Sequence, residues 1–188
     1  MDFQELLTNR RSIREFQDKQ VPVSLVKEII EDSCLAPTAS DRQPCKFIII
    51  EDRAFIKRLS DESKRNLLSD LERNPDSPLK MYEEMLRLEQ FNVFYNAPCL
   101  VFVMGPEDVE SLDVDCALTA SYFMFSATSR GLGTCWIALG SNLRDPRILE
   151  EMGVPEDCRI VAPVILGYPA GIPAASERHA PDIVKIIS

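Results

Sequence analysis

The chain is poor in the side chains that usually carry metal or nucleophilic chemistry. It has one histidine, His179, and its six cysteines (Cys34, Cys45, Cys99, Cys116, Cys135 and Cys158) form no Cys-x-x-Cys pair. That spacing offers no zinc or iron–sulfur ligand set, so a carboxylate-bound Mg²⁺ is the one metal alternative left open. His179 lies in a proline-rich tail, where no Ser, Cys and Asp arrangement can be centred on it, and a hydrolytic triad is not expected. The cysteines sit mostly inside apolar segments and read as buried, reduced thiols. Positive charge is also scarce: 21 Lys and Arg against 30 Asp and Glu give a formal net charge of −9. A broad nucleic-acid footprint is therefore not expected, and an anionic ligand would have to be gripped locally. No apolar run is long enough to span a bilayer, and the opening MDFQELLTNRR lacks the basic-then-apolar pattern of a secretory signal, so the expected location is cytoplasmic.

What is present suits one soluble domain over residues 1–188, with 45% hydrophobic and 27% charged residues. Asp2 can cap a first helix ending near Asn9 or Arg10, and Ser24 a second that the residue before Pro37 should end. Pro37–Pro44 is turn-rich. Phe47–Ile50 and Leu100–Met104 are short apolar runs and read as buried strands. Between them the pattern predicts helices over Arg53–Leu71 and Leu79–Phe94, separated by the helix-breaking Asn74–Pro78. A long apolar helix over about Asp115–Arg130 closes at Gly131, strands follow over Thr134–Leu139 and Ile160–Gly167, and a helix from Asp145 to Met152 between them stops at Gly153. From Tyr168 onward the chain has too little apolar surface to fold alone. Strands joined by long helices indicate a layered α and β domain.

Arg10-Arg11-Ser12-Ile13-Arg14 is the densest positive point of this acidic chain. If extended, it puts Arg10, Ser12 and Arg14 on one face, able to hold a phosphate and reach a second electron-rich group. The plain alternative is a solvated basic patch paired with Glu5, Glu15 and Asp18. Gly131-Leu132-Gly133 is not a dinucleotide fingerprint, because the third glycine would fall at Trp136 and the turn runs from helix to strand; it reads as a helix stop. With neither nucleophile dyad nor metal, an enzyme of this sequence would leave its chemistry to a cofactor.

Arg10–Arg14, then Ala36-Pro37-Thr38-Ala39-Ser40-Asp41-Arg42-Gln43-Pro44 before a strand, then Ala97-Pro98 before the next, resemble the nitroreductase family in order and spacing. The Gly-Leu-Gly-Thr-Cys-Trp run, Gly167-Tyr168-Pro169 and the tail residue Arg178 agree with it. The resemblance implies an α+β fold with a mostly antiparallel central sheet, in an intertwined homodimer with flavin mononucleotide (FMN) at the subunit interface and the 168–188 tail packed on the partner. It implies that Arg10, Arg11, Ser12 and Arg178 bind the flavin phosphate and that Arg14 approaches the pyrimidine edge of the ring. Pro37, Thr38, Ala39, Asp41 and Gln43 would come from the neighbouring subunit, and the backbone of Ile137, Ala138 and Leu139 would lie beside flavin N5. NADH or NADPH would deliver hydride to N5, and a nitro compound, quinone or related small electron acceptor would then take it by ping-pong turnover. A storage or sensing protein that binds FMN without turnover is the alternative. Asp41 stands where the family usually has Asn, Cys45 replaces the usual Trp, and Ser176 stands where a second basic residue is common. The stripe Met81, Tyr82, Met85, Phe91, Phe94 and Tyr95 is either a substrate cover or plain core.

Overall fold

Asp2 starts the fold with a capping box: its side chain accepts the Glu5 N–H while Glu5 accepts the Asp2 N–H. The computed structural model describes residues 2–187. In chain order its elements are α1 (Phe3–Asn9), α2 (Val23–Ser33), β1 (Lys46–Ile50), α3 (Arg53–Arg73), α4 (Glu83–Arg87), β2 (Cys99–Pro106), α5 (Leu112–Ser129), β3 (Gly133–Trp136), α6 (Pro146–Met152) and β4 (Cys158–Gly167). The strands form one sheet in the order β1-β2-β4-β3, every pair antiparallel. The central strands β2 and β4 are covered on both faces, which is why they read as continuous apolar runs. Leu100, Phe102 and Ile165 face a core built with α3 and α6, while Val101, Val103 and Val164 face a second core with α2 and α5. The result is an α+β fold with helices on both sides of an antiparallel sheet.

Two glycines shape the sheet edge that matters most. Gly133 of β3 and Gly167 of β4 are register partners. A Cβ on Gly133 would come within 2.6 Å of Ile13, and one on Gly167 within 2.6 Å of Phe16. The bare backbone therefore makes a shallow bed for residues 12–16, which lie across it through single-residue bridges, Ser12 with Thr134 and Phe16 with Pro169. Gly131 ends α5 in the left-handed region at φ 75°, with the Leu132 N–H returning to the Ala127 carbonyl. The Gly-Leu-Gly run is thus a helix stop followed by a packing glycine. Gly133→Val should cost about 1–3 kcal/mol through overpacking and lift Ile13 off the sheet. Faster amide exchange at Ile13, with exchange in α3 unchanged, is the expected signature.

The structure departs from the sequence expectations in five places. Pro22, not Ser24, occupies the cap position of α2; its fixed φ suits the entry, and its carbonyl accepts the N–H groups of Leu25 and Val26. That helix ends at Ser33 rather than near Ala36, because the Ser33 hydroxyl takes the Ile30 carbonyl and the chain turns at Cys34. Helix α5 starts three residues early, which leaves Asp115 buried inside it. The helix expected over Leu79–Phe94 is broken: Pro78–Tyr82 is a 3-10 turn, α4 spans five residues, and turns follow. The cause is α3, whose buried Lys64 Nζ donates to the carbonyls of Leu88 and Phe91 and whose Ser60 hydroxyl accepts the Val93 N–H. Finally, the strand expected to reach Leu139 stops at Trp136, because residues 138–141 curl into a 3-10 turn.

Candidate functional site

Residues 10–14 leave α1 in extended form, and the Ile13 N–H donates to the Thr134 carbonyl at 2.9 Å. Ile13 is buried, whereas Arg10, Ser12 and Arg14 line one cavity of about 330 Å³ with Cys135 and Trp136. An adjoining cavity of about 440 Å³ adds Arg11 and, from the tail, Ser176 and Arg178. Among the described residues, no ion pair involves Arg10, Arg11, Arg14 or Arg178. Of the acids of a solvated patch, Glu5 is engaged in its capping box and Asp18 with Arg53 at 2.5 Å, while Glu15 forms no ion pair among the described residues and lines a neighbouring cavity with Ser12 and Arg14. Four guanidinium groups therefore lie around adjoining cavities with no carboxylate within ion-pair distance, an arrangement an anionic ligand relieves. Arg11 turns its fork back onto the Thr8 and Arg10 carbonyls, and its buried Nε has no partner. Burial pushes the Cys135 thiol up, against the opposing pull of the Arg14 and Arg10 charges and a Ser12 hydrogen bond.

Of the proposed cover stripe, Tyr95 alone meets this face: the Arg14 guanidinium lies 5.6 Å from its ring centroid. Tyr95 and Asn96 hold φ 53° and 52°, a costly backbone for a bulky residue. Phe94 is core, and Met81 is exposed.

Beyond Trp136, the Ile137 N–H donates to the Pro163 carbonyl at 2.8 Å, and the turn at Ala138–Ser141 begins. The N–H groups of Ala138 and Leu139 open that turn and have no acceptor within it. Helix α3 fixes the turn from behind. Ser63 donates its hydroxyl to the Leu139 carbonyl, and Asn66 donates to the Asn142 carbonyl at 2.8 Å. Glu62, buried, accepts from Arg65, Asn66 and the N–H groups of Arg144 and Asp145. Sequence reading missed this brace, although Ser63 falls in the i, i+4 register of Leu59 and Leu67, where a polar residue signals a buried partner.

Burial alone would push the Glu62 carboxyl up, but its four donors outweigh that and hold it below the usual carboxylate range. A depressed folded pKa gives stability that is present above the unfolded value of about 4.3 and is lost as pH falls through the folded value. Denaturant titrations should therefore show stability declining from about pH 4.3 downward. Glu62→Gln should cost about 2 kcal/mol at neutral pH and flatten that decline; an unchanged acid limb would assign it to other carboxylates.

The loop expected to serve a neighbouring subunit is largely exposed and lies apart from the cavities just described. Ala39–Asp41 forms a 3-10 turn, and Asp41 and Gln43 have positive φ. Asp115 accepts the Ala39 N–H at 2.9 Å, Thr38 Oγ1 accepts the Gln43 N–H, and the Asp41 carboxylate accepts Gln43 Nε2 at 2.8 Å. Within one chain, then, Arg10, Arg11, Ser12, Arg14 and Arg178 line adjoining cavities that reach Cys135 and Trp136, the Ile137–Leu139 turn follows Trp136 in sequence without lining them, and Pro37, Thr38, Ala39, Asp41 and Gln43 do not line them either. Among the described residues, no group of three or more His, Cys, Asp or Glu could hold a metal ion, and no helix is long and apolar enough to cross a membrane.

An antiparallel sheet between helical layers, with an arginine-rich segment beside a backbone turn at its edge, defines a class, and comparison with known proteins gives its family. The Nitroreductase family profile matches residues 7–168, and the chain belongs to that family. The chain is 26% identical to a nitroreductase of Bacteroides fragilis whose crystal structure holds FMN, with a TM-score of 0.82 and 100% of both chains covered. It is 25% identical to a protein of Methanothermobacter thermautotrophicus named as a candidate NADH dehydrogenase or NAD(P)H nitroreductase, covering 99% of this chain and 87% of that one. It is also 27% identical to the chloronitrobenzene nitroreductase of Comamonas testosteroni, over 87% of this chain and 85% of the relative.

Proposed function

We propose that the protein is an FMN-dependent oxidoreductase that takes electrons from NADH or NADPH and reduces nitro compounds, quinones or related small electrophiles. The observation that carries this reading is that Arg10, Arg11, Arg14 and Arg178 stand around adjoining cavities without an ion-pair partner among the described residues, in a chain of net charge −9. The residues fit the cofactor on two further counts: the Arg11 Nε is a buried donor without a partner, and the turn that follows the cavity residue Trp136 opens with Ala138 and Leu139 N–H groups that have no acceptor within it. When bound, FMN would supply hydride acceptance and donation at its N5.

The chain's own residues divide the remaining work. Arg10, Ser12 and Arg178 hold the phosphate, with Arg11 closing the same wall. Arg14 supplies a fixed cation at the pyrimidine edge of the ring, where negative charge accumulates on reduction, and so raises the potential. Tyr95 stacks against Arg14 and limits its swing. The N–H groups of Ala138 and Leu139 orient the ring edge without offering an acidic proton, and Ser63 and Glu62 keep that turn in place. Pro37, Thr38, Ala39, Asp41 and Gln43 complete the site from the second subunit of a homodimer, consistent with their distance from it within one chain. The Asp41 carboxylate accepts from Gln43 Nε2 within the loop, a local partner that favours its facing away from the ring.

The test is anaerobic reduction of the FMN-loaded protein by NADH and by NADPH, followed by a quinone or a nitroarene. Bleaching and then reoxidation is the expected result. Bound FMN that neither nucleotide reduces would instead favour a storage or sensing protein, and failure to bind FMN would defeat both readings.

A further inference from the structure

Cys45 and Cys116, 71 positions apart, have their sulfurs 3.7 Å from each other where the loop ending at Pro44 meets α5. Thr119, one turn further along α5, puts its Oγ1 3.3 Å from the Cys45 sulfur. The two cysteines differ in setting. Cys45 is partly exposed, whereas Cys116 is fully buried in the layer of Val101, Ala120 and Phe123. A thiolate at Cys45 can be met by two donors, the Cys116 S–H and the Thr119 O–H, and these outweigh burial and hold its thiol below the usual range. The same interaction keeps Cys116 protonated, above that range. Cys99 has no comparable donor, and burial pushes it up to about 12. One thiol is thus ionisable and belongs to a partly exposed residue, and a protonated partner lies behind it.

We propose that Cys45 and Cys116 are a peroxide-reactive dithiol that closes to a disulfide fastening the 37–45 loop to α5. The Cys45 thiolate attacks one oxygen of hydrogen peroxide, the O–O bond breaks, and the departing oxygen takes a proton to leave as water. Cys45 is then a sulfenic acid. The Cys116 sulfur attacks that sulfur, the S–S bond forms, and the hydroxyl leaves with the Cys116 proton as a second water. Two thiols lose two electrons and one peroxide gains them. The loop already touches α5 one residue away, through Asp115 and the Ala39 N–H at 2.9 Å. Closing the sulfurs to about 2.05 Å therefore locks a contact that exists rather than building a new one. The thiol chemistry needs no cofactor, and the loop it fastens is the one proposed to complete the flavin site of the second subunit.

Peptide mapping decides it. The reduced full-length protein is treated with about one equivalent of hydrogen peroxide, alkylated, and digested without reductant. The expected product is a Cys45–Cys116 cross-linked peptide, cleaved by dithiothreitol and equally abundant in Cys34→Ser. Cys116→Ala should instead leave a Cys45 sulfenic acid that dimedone traps. Amide exchange over 39–45 should slow at least several-fold on oxidation and recover on reduction. A Cys34–Cys45 bridge, a bridge between subunits, or a Cys45 that resists peroxide until the protein is denatured would overturn the proposal. Should Cys116→Ala not fold, the wild-type and Cys34→Ser maps still decide the outcome.

Discussion

Arg10→Ala combined with Arg178→Ala is expected to weaken FMN binding by roughly 100- to 10,000-fold, whereas Arg14→Ala should cost only a few-fold. A hydrogen bond to a charged group is worth about 1.5–3 kcal/mol, so two phosphate contacts amount to about 3–6 kcal/mol, at about 1.4 kcal/mol per tenfold in affinity. Arg10 and Arg178 line the larger cavity from opposite ends of the sequence, so their loss removes charge from both walls. Arg14 also lines the cavity with Trp136, beside the turn assigned to the ring. Its loss should act mainly on the potential, lowering it by on the order of 50 mV, the scale of a unit charge about 5 Å from the ring at an effective dielectric near 20. Fluorescence titration of the apoprotein measures the first effect and a redox titration of the loaded protein the second. Equal affinity losses in the two variants would contradict this division of roles.

How much of this the sequence reveals depends on whether a residue's partner is local. β2 and β4 are legible because both of their faces are covered and the apolar run is continuous. Gly153 is legible as a stop because its φ of 74° is a local requirement. The alternation from Arg10 to Arg14 needs only an extended backbone, and Ile13 is indeed buried between exposed Ser12 and Arg14. What escaped reading depends on distant groups. The Leu79–Phe94 pattern is helical by periodicity, and only Lys64 and Ser60, on another helix, take the backbone groups that would have continued it. The end of β3 is set by Ser63 and Asn66, and the bed for Ile13 needs Gly133 and Gly167 to be register partners. The cysteines read uniformly as buried thiols, but Cys34 is exposed and Cys45 only partly covered. Arg178 was placed through the resemblance alone, since the tail carries no periodicity.

That tail leads to the second large effect. From Ala170 to Ile187 it forms no helix or strand and is exposed throughout, with Ile183, Val184, Ile186 and Ile187 between 66% and 93% accessible. On α5, Val114, Leu118 and Tyr122 form an exposed stripe at i, i+4 and i+8, and α1 exposes Phe3 and Leu7 beside it. So much exposed apolar surface on one chain is what the proposed homodimer would cover. In the proposed homodimer the part of each tail beyond Arg178 lies on the other subunit, and two-fold symmetry counts every substitution twice. Ile183→Asn with Val184→Asn therefore withdraws four apolar side chains. At half of the 1.5–3 kcal/mol for fully burying each, that is about 3–6 kcal/mol, or a dimer dissociation constant raised roughly 100- to 10,000-fold. Sedimentation equilibrium over a concentration series measures it, and a variant that stays as dimeric as the wild type would remove the tail from the interface. Arg178 is untouched in this variant, so any fall in FMN affinity should follow dissociation and reverse at high protein concentration. The Arg10 and Arg178 substitutions should instead weaken FMN binding at every protein concentration, because they strip the phosphate site within each chain.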